Sequence, residues 1–209
     1  EMAHAHVDVD KITYGAAVSA CGQGGQWDQA LRLLVEMAHA HVDVDKITYG
    51  AAVSACGQGG QWDQALSLLV EMASAHVEMN TITYSSAVSA CEKGGQWDRA
   101  LRLLVEMESA RVELNTITYN AAVSACENDG HWDQSLWLLM EMASARVELS
   151  TITYSAGVSA CEKSGQWDKA VGLLADMAFA RVELDTIIYS AAISACEKGG
   201  QWDKTLVLL

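Results

Sequence analysis

Cysteine, histidine and tryptophan are the residues of this chain whose types could do chemistry, and their spacing says what that chemistry would be. Cys21, Cys56, Cys91, Cys126, Cys161 and Cys196 recur at intervals of 35 residues. An even number of cysteines invites a disulfide framework. A strict interval places each one at the same point of successive structural units. Equivalent points on packed helices lie about 8–10 Å apart, beyond the ~7 Å limit on Cα separation for a disulfide. Free, buried thiols packed as small apolar groups are therefore expected. His4, His6, His39, His41, His76 and His131 include two His-x-His pairs. On a helix, positions i and i+2 do not face each other, and no zinc-ligand spacing accompanies them. The pairs fall near the end of a helix, where the dipole favours a partly charged imidazole. Trp27, Trp62, Trp97, Trp132, Trp167 and Trp202 could stack on bases, but each opens an apolar stripe and is expected in the core. Trp137 stands where Arg32 and Arg102 stand and is expected at the surface. No glycine-rich phosphate loop, nucleophile elbow or paired metal motif is present. A unit that copies its neighbour offers no unique site, so neither catalysis nor a cofactor is expected.

The repeat that sets these intervals governs the fold. Residues 1–31 recur without one change at 36–66. The offset defines repeats 11–45, 46–80, 81–115, 116–150 and 151–185, a partial sixth at 186–209, and an end of a preceding repeat at 1–10. Repeats of this length predict one solenoid over 1–209 rather than the one or two globular domains that length alone suggests. Both ends fall inside the pattern, which points to a longer array. No apolar run approaches the ~20 residues that span a bilayer, and the chain contains no Pro.

Each repeat reads as two helices. Tyr14, Ala17, Val18 and Cys21 fall at i, i+3, i+4 and i+7, a helical stripe. Gly24 and Gly25 break it. Trp27, Ala30, Leu31, Leu34, Met37 and Ala38 form a second stripe, with Leu33 and Val35 beside it. A helix apolar on more than one side is covered on more than one side, and the next repeat is expected to supply that cover. Ala16 and Ala20 are small enough for close helix approach. The fold class expected is all-α, a right-handed alpha-solenoid of stacked antiparallel helix pairs, with first helices lining the concave face.

The strings "TITYNAAVSACE", "GHWDQSLWLLMEM" and "ARVELS" make the unit resemble the pentatricopeptide repeat. The tetratricopeptide repeat differs in its period of 34 and in carrying its Trp in the first helix. A Pro that pentatricopeptide repeats usually carry is replaced by Val44, Met79, Leu114, Leu149 and Leu184. The resemblance implies single-stranded RNA binding in an organelle, chloroplast or mitochondrion, at about one base per repeat. It implies two base-reading residues: one after the Tyr (Gly15, Gly50, Ser85, Asn120, Ser155, Ser190), the other closing the repeat (Asp45, Asn80, Asn115, Ser150, Asp185). It implies that Ile12, Ile47, Ile82, Ile117, Ile152 and Ile187 wedge between bases, and that Lys93, Lys163 and Lys198 meet phosphates. Short polar side chains can bond the Watson–Crick edge that single-stranded RNA leaves free. The reader places are also where the repeats differ most.

Charge argues for a different partner. The chain has 13 Lys and Arg against 27 Asp and Glu, a net charge of −14. Three lysines on three phosphates give a salt slope of only about −2, at roughly −0.7 per contact. Gly15 and Gly50 have no side chain with which to read. The second reading is a structural scaffold module clamped on a large organelle assembly, such as a ribosome or a photosynthetic or respiratory complex.

Overall fold

The computed structural model of the chain describes residues 10–128, 130–201 and 203. His4, His6 and Trp202 lie outside the described residues, as does most of the partial sixth repeat's second half. Eleven α-helices and no strand occur among the described residues: α1 (Lys11–Gln23), α2 (Trp27–His39), α3 (Lys46–Gly59), α4 (Trp62–Ser74), α5 (Thr81–Lys93), α6 (Trp97–Ser109), α7 (Thr116–Asn128), α8 (Trp132–Ser144), α9 (Thr151–Lys163), α10 (Trp167–Phe179) and α11 (Thr186–Lys198). The helices form two compact bodies that divide between Glu113 and Leu114. In the N-terminal body α1, α3 and α5 lie side by side, α2 packs on α1 and α3, and α4 packs on α3 and α5. In the C-terminal body α7, α9 and α11 lie side by side, with α8 on α7 and α9, and α10 on α9 and α11. Each body is thus a stack of antiparallel helix pairs, as the 35-residue period requires.

Two left-handed residues per repeat punctuate the pairs. The first helix ends at Gly25, Gly60, Gly95, Gly130, Gly165 or Gly200, all with φ between 64° and 70°. The amide two residues beyond the last turn then reaches back to the Cys carbonyl, as Gln61 N–H does to Cys56 O at 2.9 Å. The second helix ends the same way, with Val112 N–H on Met107 O at 2.8 Å. This is the Schellman arrangement that satisfies orphan carbonyls. Here, however, the left-handed place holds His41, His76, Arg111, Arg146 or Arg181, with φ from 53° to 56°. His41 and His76 therefore lie just past the helix rather than within it, and only His39 occupies a last turn. The described residues hold no group of His, Cys, Asp or Glu arranged for a metal ion.

The core follows the stripes. Val18, Ala30 and Met37 of the first repeat are fully buried, as are Val53, Ala65 and Met72 of the second. All six cysteines are free, and five are buried while Cys21 is half-buried. Burial pushes the thiols of Cys56, Cys91 and Cys161 up to about 11. The Tyr84 hydroxyl, driven up to about 12 by burial and by the neighbouring Glu106, donates to Glu106 Oε1 at 3.3 Å. Trp27, Trp62, Trp97, Trp132 and Trp167 are half-buried, Trp137 is exposed as expected, and Trp27, Trp62 and Trp167 pack across repeats. A Cβ on Gly59 would meet Trp27 Cδ1 at 2.6 Å, one on Gly199 would meet Trp167 Cδ1 at 2.5 Å, and Gly94 makes the same room for Trp62. In the Gly-Gly pairs the second glycine supplies the turn, and the first makes room for the preceding repeat's indole. The expected second cover is realised on one side only. Leu68, Leu103, Leu138 and Leu173 are buried, but Val35, Val70 and Val105 are 56–66 % exposed. Within each body the next repeat's first helix covers its leucine, α5 covering Leu68, α9 Leu138 and α11 Leu173, and no second helix of the same body comes close enough to cover Val35 or Val70.

Gly22 and Gly57 let the N-terminal body's first helices approach closely. A Cβ on Gly57 would lie 2.5 Å from the Ser86 carbonyl oxygen, a backbone atom that cannot swing away. Gly57→Ala should therefore lower stability by roughly 1–3 kcal/mol. Gly172, with nothing within 4 Å of its Cβ position, is the control: Gly172→Ala should gain about 0.5–1 kcal/mol from helix propensity. Ser135 takes the place of Ala30, Ala65, Ala100 and Ala170, fully buried with an unpartnered hydroxyl. Ser135→Ala should stabilise by about 1–3 kcal/mol. Urea midpoints of the three variants check these signs, and equal effects of the two glycine variants would refute the close-approach argument.

Candidate nucleic-acid interface

The residue that closes each repeat is also the N-cap of the next first helix. Asp45 Oδ1 accepts from the Thr48 N–H at 2.9 Å and from the Thr48 hydroxyl at 2.8 Å. Asn80 holds Thr83 in the same way, at 3.0 and 3.1 Å, and Asn115 holds Thr118 at 3.0 and 2.9 Å. Ser150 and Thr153 form a reciprocal capping box. Asp185 Oδ1 accepts from the Ile188 N–H at 2.8 Å. Such caps satisfy one of the four orphan amides of a helix start and contribute about 1 kcal/mol each. The cap occupies Oδ1 and leaves the other terminal atom. For Asp that is a second acceptor, Oδ2; for Asn it is a donor, Nδ2. Exchanging Asp for Asn keeps the helix start and reverses the sign of what remains.

The residue after the Tyr comes to the same place through the next repeat. Thr48, Thr83, Thr118 and Thr153 are at most 2 % exposed. A Cβ on Gly15 would lie 3.2 Å from the Thr48 hydroxyl oxygen, and one on Gly50 would lie 3.7 Å from that of Thr83. In the C-terminal body the contact is a bond: the Thr153 hydroxyl donates to Asn120 Oδ1 at 2.6 Å. Ser150 N–H donates to the same Thr153 oxygen at 3.2 Å. One buried threonine thus joins the two reader positions of the repeat before it, and turns Asn120 so that its amide Nδ2 is left to donate. At the end of the fifth repeat Ile188 stands in the threonine's place, so Asp185 has no hydroxyl to bond. Its Oδ2 makes no hydrogen bond among the described residues.

The isoleucines named as wedges form an exposed row beside these positions, each 66–80 % accessible. Ile47 and Ile82 flank a cavity of 370 Å³ that also receives Gly50 and Asn80. Ile187 and Ser190 share one of 490 Å³ with Glu162. The lysines are not idle. Lys93 Nζ donates to Gln58 O at 2.9 Å, Lys163 Nζ donates to Glu127 O at 3.0 Å with the Glu127 carboxylate at 3.5 Å, and Lys198 reaches the Glu162 carboxylate at 3.1 Å. Each ties its own repeat to the one before.

Two family models match the chain: a pentatricopeptide repeat at residues 12–41, and the pentacotripeptide-repeat region of PRORP at residues 48–209. The chain belongs to the pentatricopeptide repeat family. No curated protein matches it. Among solved structures, the pentatricopeptide repeat protein PPR10 in complex with an 18-nucleotide psaJ RNA element is similar, with 25 % identity and a TM-score of 0.77 over 95 % of this chain. PPR10 from maize gives a TM-score of 0.73 at 25 % identity over the same 95 %. The chain spans 29 % and 28 % of those two chains. The repeat domain of the Arabidopsis thaliana protein-only RNase P 1, in complex with tRNA, shares the fold at 15 % identity and a TM-score of 0.72, covering 90 % of this chain and 96 % of that one.

Within this pentatricopeptide repeat array, the first repeat leaves the fewest free polar groups at these positions. Gly15 has no side chain, and Lys11 Nζ lies 3.4 Å from Asp45 Oδ2, the acceptor the cap leaves over. Burial alone would raise the Asp45 carboxyl, but the Thr48 bonds and Lys11 together hold it below the usual carboxylate range. The buried threonines that hold these positions are the neighbours that sequence reasoning missed. Their signal is the Asp, Asn or Ser three residues ahead of each, a capping pattern read only as a row of readers. A lowered folded carboxyl contributes stability that is complete above the ordinary carboxylate pKa and is lost as pH falls through the lowered value. The Asn80 and Asn115 caps do not titrate. Between about pH 6 and about pH 3, hydrogen-exchange protection at the start of α3 should fall relative to that of α5. Asp45→Asn should abolish the difference. Equal loss in wild type and variant would refute it.

Proposed function

We propose that this segment binds single-stranded RNA along its first-helix face at about one base per repeat, without catalysis of its own, in RNA processing, stability or translation in an organelle. The observation that carries this reading is the buried Thr153, which brings the polar Asn120 and Ser150 together beside the exposed Ile152. Two short hydrogen-bonding groups next to an apolar wedge suit a splayed base better than a folded protein surface. The similarity to PPR10 in complex with RNA supports it. The scaffold reading is favoured by the net charge of −14 and by lysines already bound to the preceding repeat.

By family resemblance Ser85 with Asn115 takes adenine, Asn120 with Ser150 takes cytosine, and Ser155 with Asp185 takes guanine, in the order 5′-ACG-3′. The leftover atoms agree with this assignment. Asp185 Oδ2 accepts from the guanine ring N–H and opposes the bare ring nitrogen of adenine. Asn120 Nδ2 donates to the cytosine ring nitrogen or carbonyl. Asp185→Asn keeps the cap on Ile188 and should move the third base from guanine toward adenine, by about tenfold in relative affinity for ~1.4 kcal/mol. Selection on randomised single strands at low salt reads this directly. If neither protein enriches any base at any position, the scaffold reading replaces this one.

A further inference from the structure

The repeats are near copies, so each position carries its own control. Three exposed apolar side chains break the pattern in the C-terminal body. Phe179 is 92 % exposed where the other repeats hold His39, Ser74, Ser109 and Ser144. Trp137 is 48 % exposed where they hold Arg32, Ser67, Arg102 and Gly172. Met140, 71 % exposed, enlarges the row of Val35, Val70 and Val105. None of the three is buried in its own core.

Two of them meet at one gap. α8 and α10 do not pack on each other, and α9 holds both. Between them lies a groove of 630 Å³, floored by Leu136, Leu139 and Leu173, with Met140 and Phe179 at its sides. Trp137 is not part of this groove: Gly172, which holds the same place on α10, lines it, so Trp137 lies on the other side of α8. Asp168 and Asp176 stand on the α10 wall. Lys169 is held by Asp168 at 3.4 Å, whereas Asp176 has no ion pair among the described residues. The equivalent groove between α4 and α6 has Arg99 and Arg102 on its wall with Glu106, which the Tyr84 hydroxyl already bonds, and no exposed aromatic residue. The same place in the fold is therefore cationic in one body, and apolar and acidic in the other.

We propose that the α8–α10 groove docks a basic amphipathic helix of a protein partner, its apolar ridge covering Phe179 and Met140 and a Lys or Arg meeting Asp176. Two parallel helices held apart by a third leave a channel that a helix fills by ridge-into-groove packing. The 13 residues of α10 give that channel a length of about 20 Å, enough for three to four turns. A carboxylate without a partner beside exposed aromatic surface favours a cation on the occupant. It disfavours a second copy of this acidic chain and the phosphates of RNA.

The probe is a labelled Leu/Lys amphipathic peptide of about 18 residues, with its Leu/Glu counterpart as control, titrated against the whole chain by fluorescence anisotropy. Met140→Val with Phe179→Ser installs side chains that sister repeats already tolerate, so the fold is kept, as circular dichroism verifies. We expect saturable binding of the Leu/Lys peptide and at least a tenfold loss (about 1.4 kcal/mol) in the double variant. Asp176→Asn should weaken binding and flatten its salt dependence, and RNA affinity should be unchanged throughout. Four results overturn the proposal: no binding by the Leu/Lys peptide, equal binding by the variants, equal binding of the Leu/Glu peptide, or RNA affinity that falls with Phe179→Ser. Sedimentation in which wild type self-associates and the double variant does not assigns the groove to a second copy and overturns it as well.

Discussion

The start of each first helix depends on one side-chain oxygen, and much of the interface is fixed by that dependence. The capping atom must sit three residues ahead of an amide with no helical partner. Only a short side chain with an acceptor reaches it. Asp45, Asn80, Asn115, Ser150 and Asp185 all meet this requirement. A position limited to Asp, Asn and Ser by helix energetics can vary only in the atom that the cap leaves over. That atom is an acceptor, a donor or nothing, which is the alphabet needed to tell base edges apart. The polar variety at this place is therefore variety at constant stability. The buried Thr153 extends the constraint: by bonding the cap on one side and Asn120 Oδ1 on the other, it fixes Asn120 without occupying its amide Nδ2.

The charge distribution then says how such an interface would hold a strand. Affinity for nucleic acid usually comes from phosphate neutralisation. Here the lysines at the ends of the first helices lean back on carbonyls and carboxylates of the preceding repeat. Exposed ion pairs of this kind contribute little stability, about 0–1 kcal/mol, so a phosphate could compete for them, but every lysine that turns to a phosphate lets go of the repeat before it. With 27 acidic residues against 13 basic ones, the electrostatic grip is weak. Base contacts, not the backbone, would carry the free energy, and an array of this kind discriminates more than it clings.

The sequence made the helices legible because their period is unambiguous. The stripe from Tyr14 to Cys21 became α1, and the stripe that Trp27 opens became α2. The turn between them fell at the glycines that broke the pattern. What stayed hidden was contact between repeats. Trp27 lies on Gly59, 32 residues on, and Asn120 on Thr153, 33 residues on, and no periodicity within a helix announces either. The Val35 row was expected to be covered because it is apolar, yet it is exposed. Patterning shows which sides of a helix are apolar but not how far away the neighbouring helix lies. The histidines were expected near a helix end, yet His41 and His76 adopt the left-handed conformation just beyond it, a place that glycine fills at the end of the first helices. A left-handed residue other than glycine costs roughly 1–2 kcal/mol, and propensity alone would not place five of them in a row.

The two layers of each body differ in how tightly they close, and the difference is steric. In the N-terminal body first helices meet through Gly22 and Gly57, small enough for backbone to approach backbone, where later repeats carry Glu92, Glu127, Glu162 and Glu197. Second helices carry Trp, Leu and Met on the sides that rest on the first layer, so they are lifted off their own kind and gaps remain between them. A contact within the first layer cannot change without a collision, as the Ser86 carbonyl against Gly57 illustrates. A residue over a second-layer gap touches nothing that would resist it. Packing therefore holds Val18, Ala30 and Met37 nearly invariant from repeat to repeat and leaves the position of Phe179 free. Where packing imposes nothing, an aromatic residue in place of histidine or serine needs another cause. Contact with something outside the chain supplies one, because exposed aromatic surface over an apolar groove is otherwise a liability for association.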